Sequence, residues 1–286
     1  MRPNIIAMLN IYNRAFPSLQ TDEGTFSERL MIDSGSVIFE HREEGILAGY
    51  SVVNDDGILL LCVDDNFRRK GIGTELLKIS ENHIKNNFDK VTLGISRNTY
   101  LFCGVPINED CDSRPFFLKH GYSETGTNFD MVIDLSEYTR IHELDNHDDN
   151  IIIRHRRNDK EDIEKSIKCG DVIDGWGAFY KDATDLIVAE ADGEIIGAVI
   201  ADPQHCIFSG SLKDAGTLAC LGVIKEYRAH GIGMKLCQEA LCSLKNSGCK
   251  ICHIGYTWLD WWYGKLGATK YISYWMGDKI VGNSRQ

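Results

Sequence analysis

The chain has 286 residues, of which 43% are hydrophobic, and a formal net charge of −11 at pH 7. This composition supports one large or two ordinary folded domains and excludes a disordered chain, and no run of eighteen apolar residues offers a membrane span. The negative charge disfavours nucleic acid and anionic membranes as partners and favours a cationic substrate, although an acidic surface that serves solubility explains it equally well.

Apolar spacing predicts alternating helices and strands through the first half of the chain. The pattern begins with a helix, which Pro17 ends. The predicted elements are helices over Ile5–Phe16 and Phe26–Ile32, strands over Ser36–Glu40 and Ile46–Val53, a strand over Ile58–Val63, a helix from Gly73 to Asn86, a strand over Lys90–Ser96, a short helix over Phe116–His120 and a strand over Asp130–Leu135.

The polar, acidic segment of residues 136–150 is typical of a linker and predicts a domain boundary near residue 140. The second half begins with a strand that has no counterpart in the first half. Its predicted elements are a strand over Ile151–His155, a helix over Lys160–Lys168, a hairpin over Leu186–Ala201, strands over Leu218–Val223 and Lys250–Tyr256 with the helix Lys235–Lys245 between them, and a final strand over Tyr271–Asp278 that closes the sheet.

A short motif, R-x-x-G-x-G, occurs twice, each time between a predicted strand and a predicted helix. The copies begin at Arg68 and Arg228, and the same separation of 160 residues relates Lys90 to Lys250. The first N–H groups of a helix lack partners within it, and glycines let an anion approach them closely. We therefore predict two similar domains, each with an anion-binding loop, whereas the alternative is a coincidence of two unrelated helix starts.

Together these residues resemble the GNAT (GCN5-related) N-acetyltransferases, whose acetyl-CoA loop has the pattern V-x-x-x-x-R-x-x-G-x-G. The second copy continues into Trp262–Ala268, which is similar to the F-Y-x-K-L-G-F segment near the end of that fold, and the first copy has Phe116–Tyr122 at the matching place. The resemblance implies an α/β fold with a mixed sheet in two tandem GNAT-like domains, 1–140 and 141–286. It also implies acetyl-CoA as cofactor and acetyl transfer to an amine.

The resemblance assigns the two loops to the cofactor. Their backbone N–H groups hold the pyrophosphate, basic side chains add contacts, and an N–H near Val223 or Val63 serves the oxygen of the thioester. The expected contact residues are Val63, Arg68, Arg69, Lys70, Gly71, Ile72, Gly73 and Thr74 in the first copy, and Val223, Arg228, Ala229, His230, Gly231, Ile232, Gly233 and Met234 in the second.

Tyr263 is the expected catalytic acid, by its place in the family pattern. A phenol is protonated at neutral pH and can donate its proton to a departing CoA thiolate. The alternative is a tyrosine that packs at a helix start beside Trp261 and Trp262. Phe117 stands at the matching place in the first half and has no hydroxyl, and Tyr256 stands where some family members carry an asparagine. We therefore expect the first half to be catalytically silent.

The acceptor site is less defined. Trp258, Asp260 and Trp261 are expected to form an aromatic and acidic pocket for a cationic amine, unless the tryptophans belong to the core. No base is identifiable, and a water chain is an alternative. The acidic and histidine side chains considered for that role, each more simply explained as a solvated loop charge, are Glu190, Asp192, Asp202, His205 and Asp214.

The chain has ten cysteines and no recognisable export signal, which favours free thiols in a reducing cytoplasm. Residues 249–253 fit the C-x-x-C-H haem pattern, but they fall on a predicted strand, where Cys249 and Cys252 point to opposite faces. No second C-x-x-C completes a zinc site, and neither loop has the ending of a nucleotide P-loop. We expect no bound metal.

The sequence thus predicts an acetyl-CoA-dependent N-acetyltransferase that acts on a small, cationic amine, with the active site in the C-terminal domain. The main alternative is a module that binds CoA without turnover, and a scaffold with both loops empty is a third reading. The acceptor and the oligomeric state are not defined by the residues, because a fold does not determine its substrate.

Overall fold

The structure, a computed structural model, describes residues 4–97, 99–109, 111–141, 150–228 and 230–282. The elements through residue 134 are α1 (Ile5–Ala15), α2 (Glu23–Arg29), β1 (Val37–Glu43), β2 (Ile46–Asn54), β3 (Gly57–Val63), α3 (Ile72–Lys85), β4 (Lys90–Leu93), β5 (Val105–Ile107), α4 (Arg114–Lys119) and β6 (Ser123–Asp134). Those that follow are β7 (Ile152–His155), α5 (Lys160–Asp174), α6 (Gly177–Asp182), β8 (Leu186–Ala191), β9 (Glu194–Asp202), β10 (Ala215–Val223), α7 (Ile232–Asn246), β11 (Ile251–Thr257), α8 (Asp260–Tyr263) and β12 (Thr269–Ile280).

Contacts divide the chain into two units. Unit 1 comprises Met1–Phe129, Ile207–Ser211 and Tyr271–Gln286, and unit 2 comprises Asp130–Cys206 and Leu212–Lys270. These units are not the contiguous halves 1–140 and 141–286, because the last strand of the chain joins unit 1 and the end of β6 joins unit 2. The acidic part of the predicted linker, Asp145–Asp149, lies outside the described residues.

Unit 1 has the strand order β1-β2-β3-β4-β12, in which β3 and β4 are parallel and the other pairs are antiparallel. We predicted that the strand at Tyr271–Asp278 closes the sheet of the second half, and this is wrong. Asp278 pairs with Thr92 of β4, and Ser273 pairs with Ile107 of β5. The strand is held there by its apolar side chains, since Trp275 is buried in the core of unit 1.

Unit 2 has the strand order β7-β8-β9-β10-β11, and the end of β6 lies beside β11. Strands β7 to β10 are antiparallel, and β10 is parallel to β11. The mixed sheet expected from the sequence is confirmed. Helix α5 continues to Asp174, beyond its predicted end at Lys168. It is followed by α6, a helix that was not predicted from the sequence.

Helices α3 and α7 follow the two glycine loops and lie on their sheets through one apolar stripe each. The buried positions of α3 are Ile72, Leu76, Leu77, Ser80 and Ile84. Those of α7 include Ile232, Leu236, Leu241 and Leu244. This spacing is that of one helix face, and each fully buried leucine contributes about 2 kcal/mol of hydrophobic free energy. Packing along the whole helix therefore holds its N-terminus, and with it the loop, in place.

Among the described residues, no helix is long and apolar enough to span a bilayer.

Candidate functional site

The two R-x-x-G-x-G loops have the same backbone. Gly71 precedes α3 with φ 90° and ψ −8°, and Gly231 precedes α7 with φ 73° and ψ 0°. Both conformations are left-handed, which a glycine adopts without strain. The N–H of Glu75 is bonded to the carbonyl of Gly71, and the N–H of Met234 to that of Gly231. The earlier N–H groups of each helix have no helical partner, so both loops present donors and a positive dipole end to an anion.

The arginine of each motif ties the loop back to its strand. Arg68 Nε donates to the carbonyl of Val63 at 3.2 Å, and Arg228 Nε donates to the carbonyl of Val223 at 2.9 Å. Both side chains are otherwise exposed. Residues 160 positions apart thus make the same local contact, and the arginine orders the loop in addition to any contact that it makes with a ligand.

In both units the two parallel strands next to the loop separate. The ladder between β3 and β4 ends after Ile58, and the ladder between β10 and β11 ends after Leu218. Past that point, the N–H of Ile224 bonds to β9 through the carbonyl of Ile196. Because N–H groups alternate in direction along a strand, we infer that the N–H of Val223 points to the other side, into the split. Asp64 bonds to β2 in the same way, and the N–H of Val63 follows the same reasoning.

A distortion of β10 sets unit 2 apart. The register between β9 and β10 shifts between Ala219 and Gly222, and Cys220 has a φ of 48°. The hydroxyl of Tyr180, on α6, donates to the carbonyl of Cys220 at 2.7 Å. In unit 1 the register between β2 and β3 also shifts, between Ile58 and Leu60, directly after the ladder between β3 and β4 ends. A bulge re-aims backbone groups, and each unit has one where its parallel strands separate, but only the bulge of unit 2 has a residue with positive φ that is held by a hydroxyl.

Each loop opens on a cavity within its own unit. The cavity of unit 2 measures about 560 Å³ and is lined by Ile173, Asp174, Trp176, Leu221, Gly222, Val223, Tyr227, Arg228, Gly231, Ile232, Gly233, Met234, Leu259 and Trp262. The cavity of unit 1 measures about 910 Å³ and is lined by Ala15, Phe16, Leu61, Cys62, Val63, Phe67, Arg68, Arg69, Gly71, Ile72, Gly73, Thr74, Cys111, Asp112, Ser113, Pro115, Phe116, Phe117, Lys119 and His120.

Most of the predicted cofactor-binding residues therefore line a cavity. The exceptions in the described chain are Lys70, whose ammonium lies 4.9 Å from the centroid of the Phe67 ring, and His230. Ala229 lies outside the described residues. Neither cavity has been tested with a ligand, so the assignment of these residues to acetyl-CoA stays a prediction.

Tyr263, the predicted acid, does not line the cavity of unit 2. It is 7% exposed, and its ring packs edge-on against Trp262 with the centroids 4.8 Å apart. Burial raises the pKa of its phenol, and the nearby thiols of Cys237 and Cys252 raise it further. Trp262 itself lines the cavity, and a Cβ on Gly233 would lie 3.4 Å from its ring.

Unit 1 repeats this aromatic pair. Phe117 is as buried as Tyr263, and a Cβ on Gly73 would lie 3.6 Å from the ring of Phe116. The packing alternative for Tyr263 is thus a real one, because a phenyl ring without a hydroxyl fills the same place in the other copy. The acid role of Tyr263 remains a prediction.

The predicted acceptor residues lie outside the cavity of unit 2. Trp258 and Trp261 are 65% and 63% exposed, so the alternative that they are core residues is wrong. The carboxylate of Asp260 is 2.7 Å from Lys270 Nζ, and this pairing lowers its pKa. Lys265 Nζ lies 5.1 Å from the Trp261 ring centroid. The predicted aromatic surface is therefore present, but the Asp260 carboxylate within it is already paired with Lys270.

Most of the side chains considered as a base are also paired. Asp202 contacts His205 at 2.8 Å, Asp214 contacts Lys250 at 2.8 Å, and Glu190 contacts Arg154 at 2.5 Å. Asp192 lies in the tight turn between β8 and β9, with φ 51°. None of these residues lines either cavity.

The sequence reading missed a second side of the unit 2 cavity, which is formed by the end of α5 and the turn to α6. Ile173, Asp174 and Trp176 line the cavity there. Because α5 was predicted to end at Lys168, these residues were not assigned to the site. A usable signal was present, since Gly175 ends α5 with φ 71°, and a glycine after an amphipathic run marks a helix end.

The C-x-x-C-H segment lies on β11 and before it. Cys249 and Cys252 are buried free thiols, and His253 Nε2 is 3.1 Å from a carboxylate oxygen of the buried Asp130. The described residues contain no group of three or more side chains arranged to hold a metal ion.

Comparisons with known proteins agree with this geometry. Residues 10–131 and residues 182–267 each match a family model described as an acetyltransferase (GNAT) domain. No curated protein matches the sequence.

Several solved structures share the fold over nearly the whole chain. The glucosamine N-acetyltransferase region of a fungal multi-domain GH3 β-N-acetylglucosaminidase has a TM-score of 0.82 at 19% identity, over 96% of this chain and 37% of that one. A GCN5-related N-acetyltransferase from Sphaerobacter thermophilus has a TM-score of 0.70 at 16% identity, over 99% and 96%. A tandem GNAT protein from the clavulanic acid biosynthesis pathway has a TM-score of 0.64 at 12% identity, over 98% and 97%.

Two GNAT domains in one chain, each with its glycine loop and split strands, define a tandem acyltransferase fold. The chain belongs to the GNAT acetyltransferase family as a tandem-domain member, and its class of activity is acyl transfer. It spans 37% of the length of the fungal protein.

Proposed function

We propose that this chain transfers the acetyl group of acetyl-CoA to a small, cationic amine, and that the C-terminal domain carries the active site. The observation that carries the proposal is that unit 2 has Tyr263 at the expected acid position, whereas unit 1 has Phe117 there; both units have a bulge where their parallel strands separate, at Cys220–Gly222 in unit 2. A strand distorted at this point exposes backbone donors to the split, which is where a thioester oxygen needs them.

The residues present fit acetyl-CoA. The N-terminus of α7 offers unpaired N–H groups to a pyrophosphate, and Gly231 and Gly233 leave the approach open. Leu259 and Trp262 supply an apolar wall for the arm that follows. When bound, acetyl-CoA supplies an acetyl group activated as a thioester. The chain's own task is to hold it, direct the N–H of Val223 to its carbonyl oxygen and exclude water.

Tyr263 is the proposed source of the proton for the leaving thiolate. Its phenol is protonated at neutral pH, which is the state that a general acid requires, whereas burial raises its pKa and weakens it as a proton donor in the free protein. Its burial behind Trp262 requires that the hydroxyl reach the cavity when a ligand is bound.

The acceptor is proposed to be a small amine of the amino-sugar or alkylamine type. The net charge of −11 favours a cation over an anion. The fungal region with the same fold is described as a glucosamine N-acetyltransferase, which makes glucosamine the first acceptor to try. Exposed indole faces at Trp258 and Trp261 are surfaces on which a sugar ring stacks. All ten cysteines are free thiols, which supports a reducing, cytoplasmic site of action.

A second candidate function is CoA binding without turnover. The observation that favours it is that Tyr263 is not among the residues that line the cavity of unit 2. A buried tyrosine that only packs would leave the loop able to bind and the site without its proposed acid.

One experiment on the full chain separates these functions. Calorimetry measures acetyl-CoA binding, and a thiol reagent measures CoA release with glucosamine, spermidine and benzylamine as acceptors. The proposal expects binding and an amine-dependent release of thiol that the variant Gly233→Asp lacks. Binding without release from any acceptor would support the binding module, and no binding at all would leave only a scaffold.

A further inference from the structure

The end of α5 packs directly on the bulge of β10. A Cβ placed on Gly222 would lie 2.4 Å from Cγ2 of Ile173 and 3.1 Å from the Trp176 ring. Such contacts leave no room for any side chain other than hydrogen at residue 222. The turn from α5 to α6 is therefore held against the segment of β10 that lies beside the strand split. Asp174 is the charged residue between Ile173 and Trp176 in this turn.

Asp174 is exposed and lines the cavity of unit 2. Among the fourteen residues that form this lining it is the single carboxylate. Within the described part of the chain, no hydrogen bond or ion pair engages its side chain. It differs in this from Glu190 and Asp260, which have a cationic partner, and from Asp202, which contacts His205.

Helix electrostatics do not explain Asp174. It is the last residue of α5, where the macrodipole is negative and a carboxylate is mildly unfavourable. The other ionisable side chains of the lining are Tyr227 and Arg228, and Arg228 Nε is bonded to the strand carbonyl. A carboxylate that no helix dipole or side chain stabilises and that lines the cavity is suited to a cationic ligand.

We propose that Asp174 binds the ammonium group of the acceptor and accepts its first proton. This inference rests on the proposed function and deepens it, since it defines the acceptor as an alkylammonium ion and not a neutral amine. The ammonium loses one proton to Asp174, and the neutral amine then forms the N–C bond as the C–S bond of the thioester breaks. The nitrogen loses a second proton at that step. Tyr263 gives its proton to the thiolate of released CoA and is restored by the second proton of the nitrogen, while the first proton passes from Asp174 to solvent.

Two acceptors of nearly equal shape test the proposal. Benzylamine is largely cationic at neutral pH, whereas O-benzylhydroxylamine carries the same benzyl group on a nucleophilic nitrogen that is largely uncharged. In Asp174→Asn we expect kcat/KM for benzylamine to fall about 100-fold or more, as for the loss of a base. We expect O-benzylhydroxylamine to change less than about 5-fold, and the affinity for acetyl-CoA to stay unchanged in calorimetry.

The matched control is Asp182→Asn. Asp182 is also exposed and also the last residue of a helix in unit 2, but it does not line the cavity, so its replacement should leave both acceptors unaffected. An equal fall for the two acceptors in Asp174→Asn, or no fall, would overturn the inference.

Failure of the proposed function gives a different result. If the wild-type chain acetylates neither acceptor, benzylamine binding to the CoA-loaded protein is measured by calorimetry. Binding that Asp174→Asn removes and Asp182→Asn retains would keep the ammonium site while the transferase proposal fails. Binding that is absent, or equal in both variants, would remove the site as well.

Discussion

At the scale of single residues, Tyr263 and Phe117 make the sharpest comparison. Both are 7% exposed, and both follow an aromatic residue that lies over a loop glycine. One carries a hydroxyl and the other does not. The two domains therefore differ at this position, and Phe117 shows that a phenyl ring without a hydroxyl can fill it.

Replacing Tyr263 by Phe removes the hydroxyl and keeps the packing. If the hydroxyl protonates the thiolate, kcat falls by about 10²–10⁴-fold while acetyl-CoA affinity and thermal stability stay unchanged. Steady-state rates of thiol release and a calorimetric titration measure the two quantities. A rate equal to that of the wild type would assign Tyr263 to packing, as Phe117 is.

Asp162 illustrates a charged residue whose role is structural. Its side chain is 1% exposed, and it accepts two hydrogen bonds from Arg154, at 2.5 and 2.8 Å, and one from the backbone N–H of Arg157 at 2.7 Å. The contacts with Arg154 hold the pKa of this carboxyl well below its usual range. The group joins β7 to the first turn of α5 and lies outside both cavities.

We expect Asp162→Asn to lower the free energy of unfolding by about 2 kcal/mol at pH 7, because the buried carboxylate loses its charge-assisted hydrogen bonds with the partly buried Arg154, which keeps Glu190. Since the folded pKa is depressed, the stabilisation is complete above the unfolded pKa of about 3.9 and is lost as the pH falls towards the folded pKa. Urea unfolding at pH 7 and pH 3 should therefore give a difference between variant and wild type that narrows at pH 3. A constant difference would contradict this account.

At the scale of elements, the exchange of β12 has the largest consequence. The strand comes from the end of the chain, yet Trp275 is buried against Val105, Phe117 and Tyr122 of unit 1. Residues 130–134 of β6 make the opposite move into unit 2. Cutting the chain near residue 140 would thus remove one strand segment from each sheet.

Replacing Trp275 by Ala should destabilise unit 1 by about 3–5 kcal/mol, as for other large aromatic truncations in a core. Hydrogen exchange should accelerate in α3 and β4 of unit 1, although the change lies at the opposite end of the chain. Ile280→Ala on the same strand is the control, since Ile280 is 66% exposed. Acceleration confined to β9 and β10 would show that the strand supports unit 2 instead.

At the scale of the whole molecule, the chain has two similar loops, and each follows a bulged strand. The cavity of unit 1 is the larger of the two, at about 910 Å³ against 560 Å³. Size alone does not predict activity, since Phe117 stands at the acid position of unit 1 and has no hydroxyl. We therefore keep the prediction that the first domain is catalytically silent.

Gly73→Asp and Gly233→Asp test the two loops by the same change. Each glycine is the second residue of its helix. A carboxylate at this position is stabilised by the helix dipole, so the fold is preserved, but its negative charge repels a pyrophosphate. We expect Gly233→Asp to abolish turnover and Gly73→Asp to retain most of it. Calorimetric stoichiometry reports how many loops bind acetyl-CoA in each variant. The reverse pattern of turnover would place the active site in the first domain.

The sequence by itself determined the parts that depend on neighbours in the chain. A strand, a glycine with positive φ and an amphipathic helix follow from local sterics and apolar spacing, so both loops and both long helices were predictable to within a few residues. Only the tertiary structure decided where β12 pairs, where β10 bulges and that Asp174 faces the cavity. Each of these depends on contacts between residues far apart in sequence, such as Trp275 with Val105 or Ile173 with Gly222, which no local pattern records.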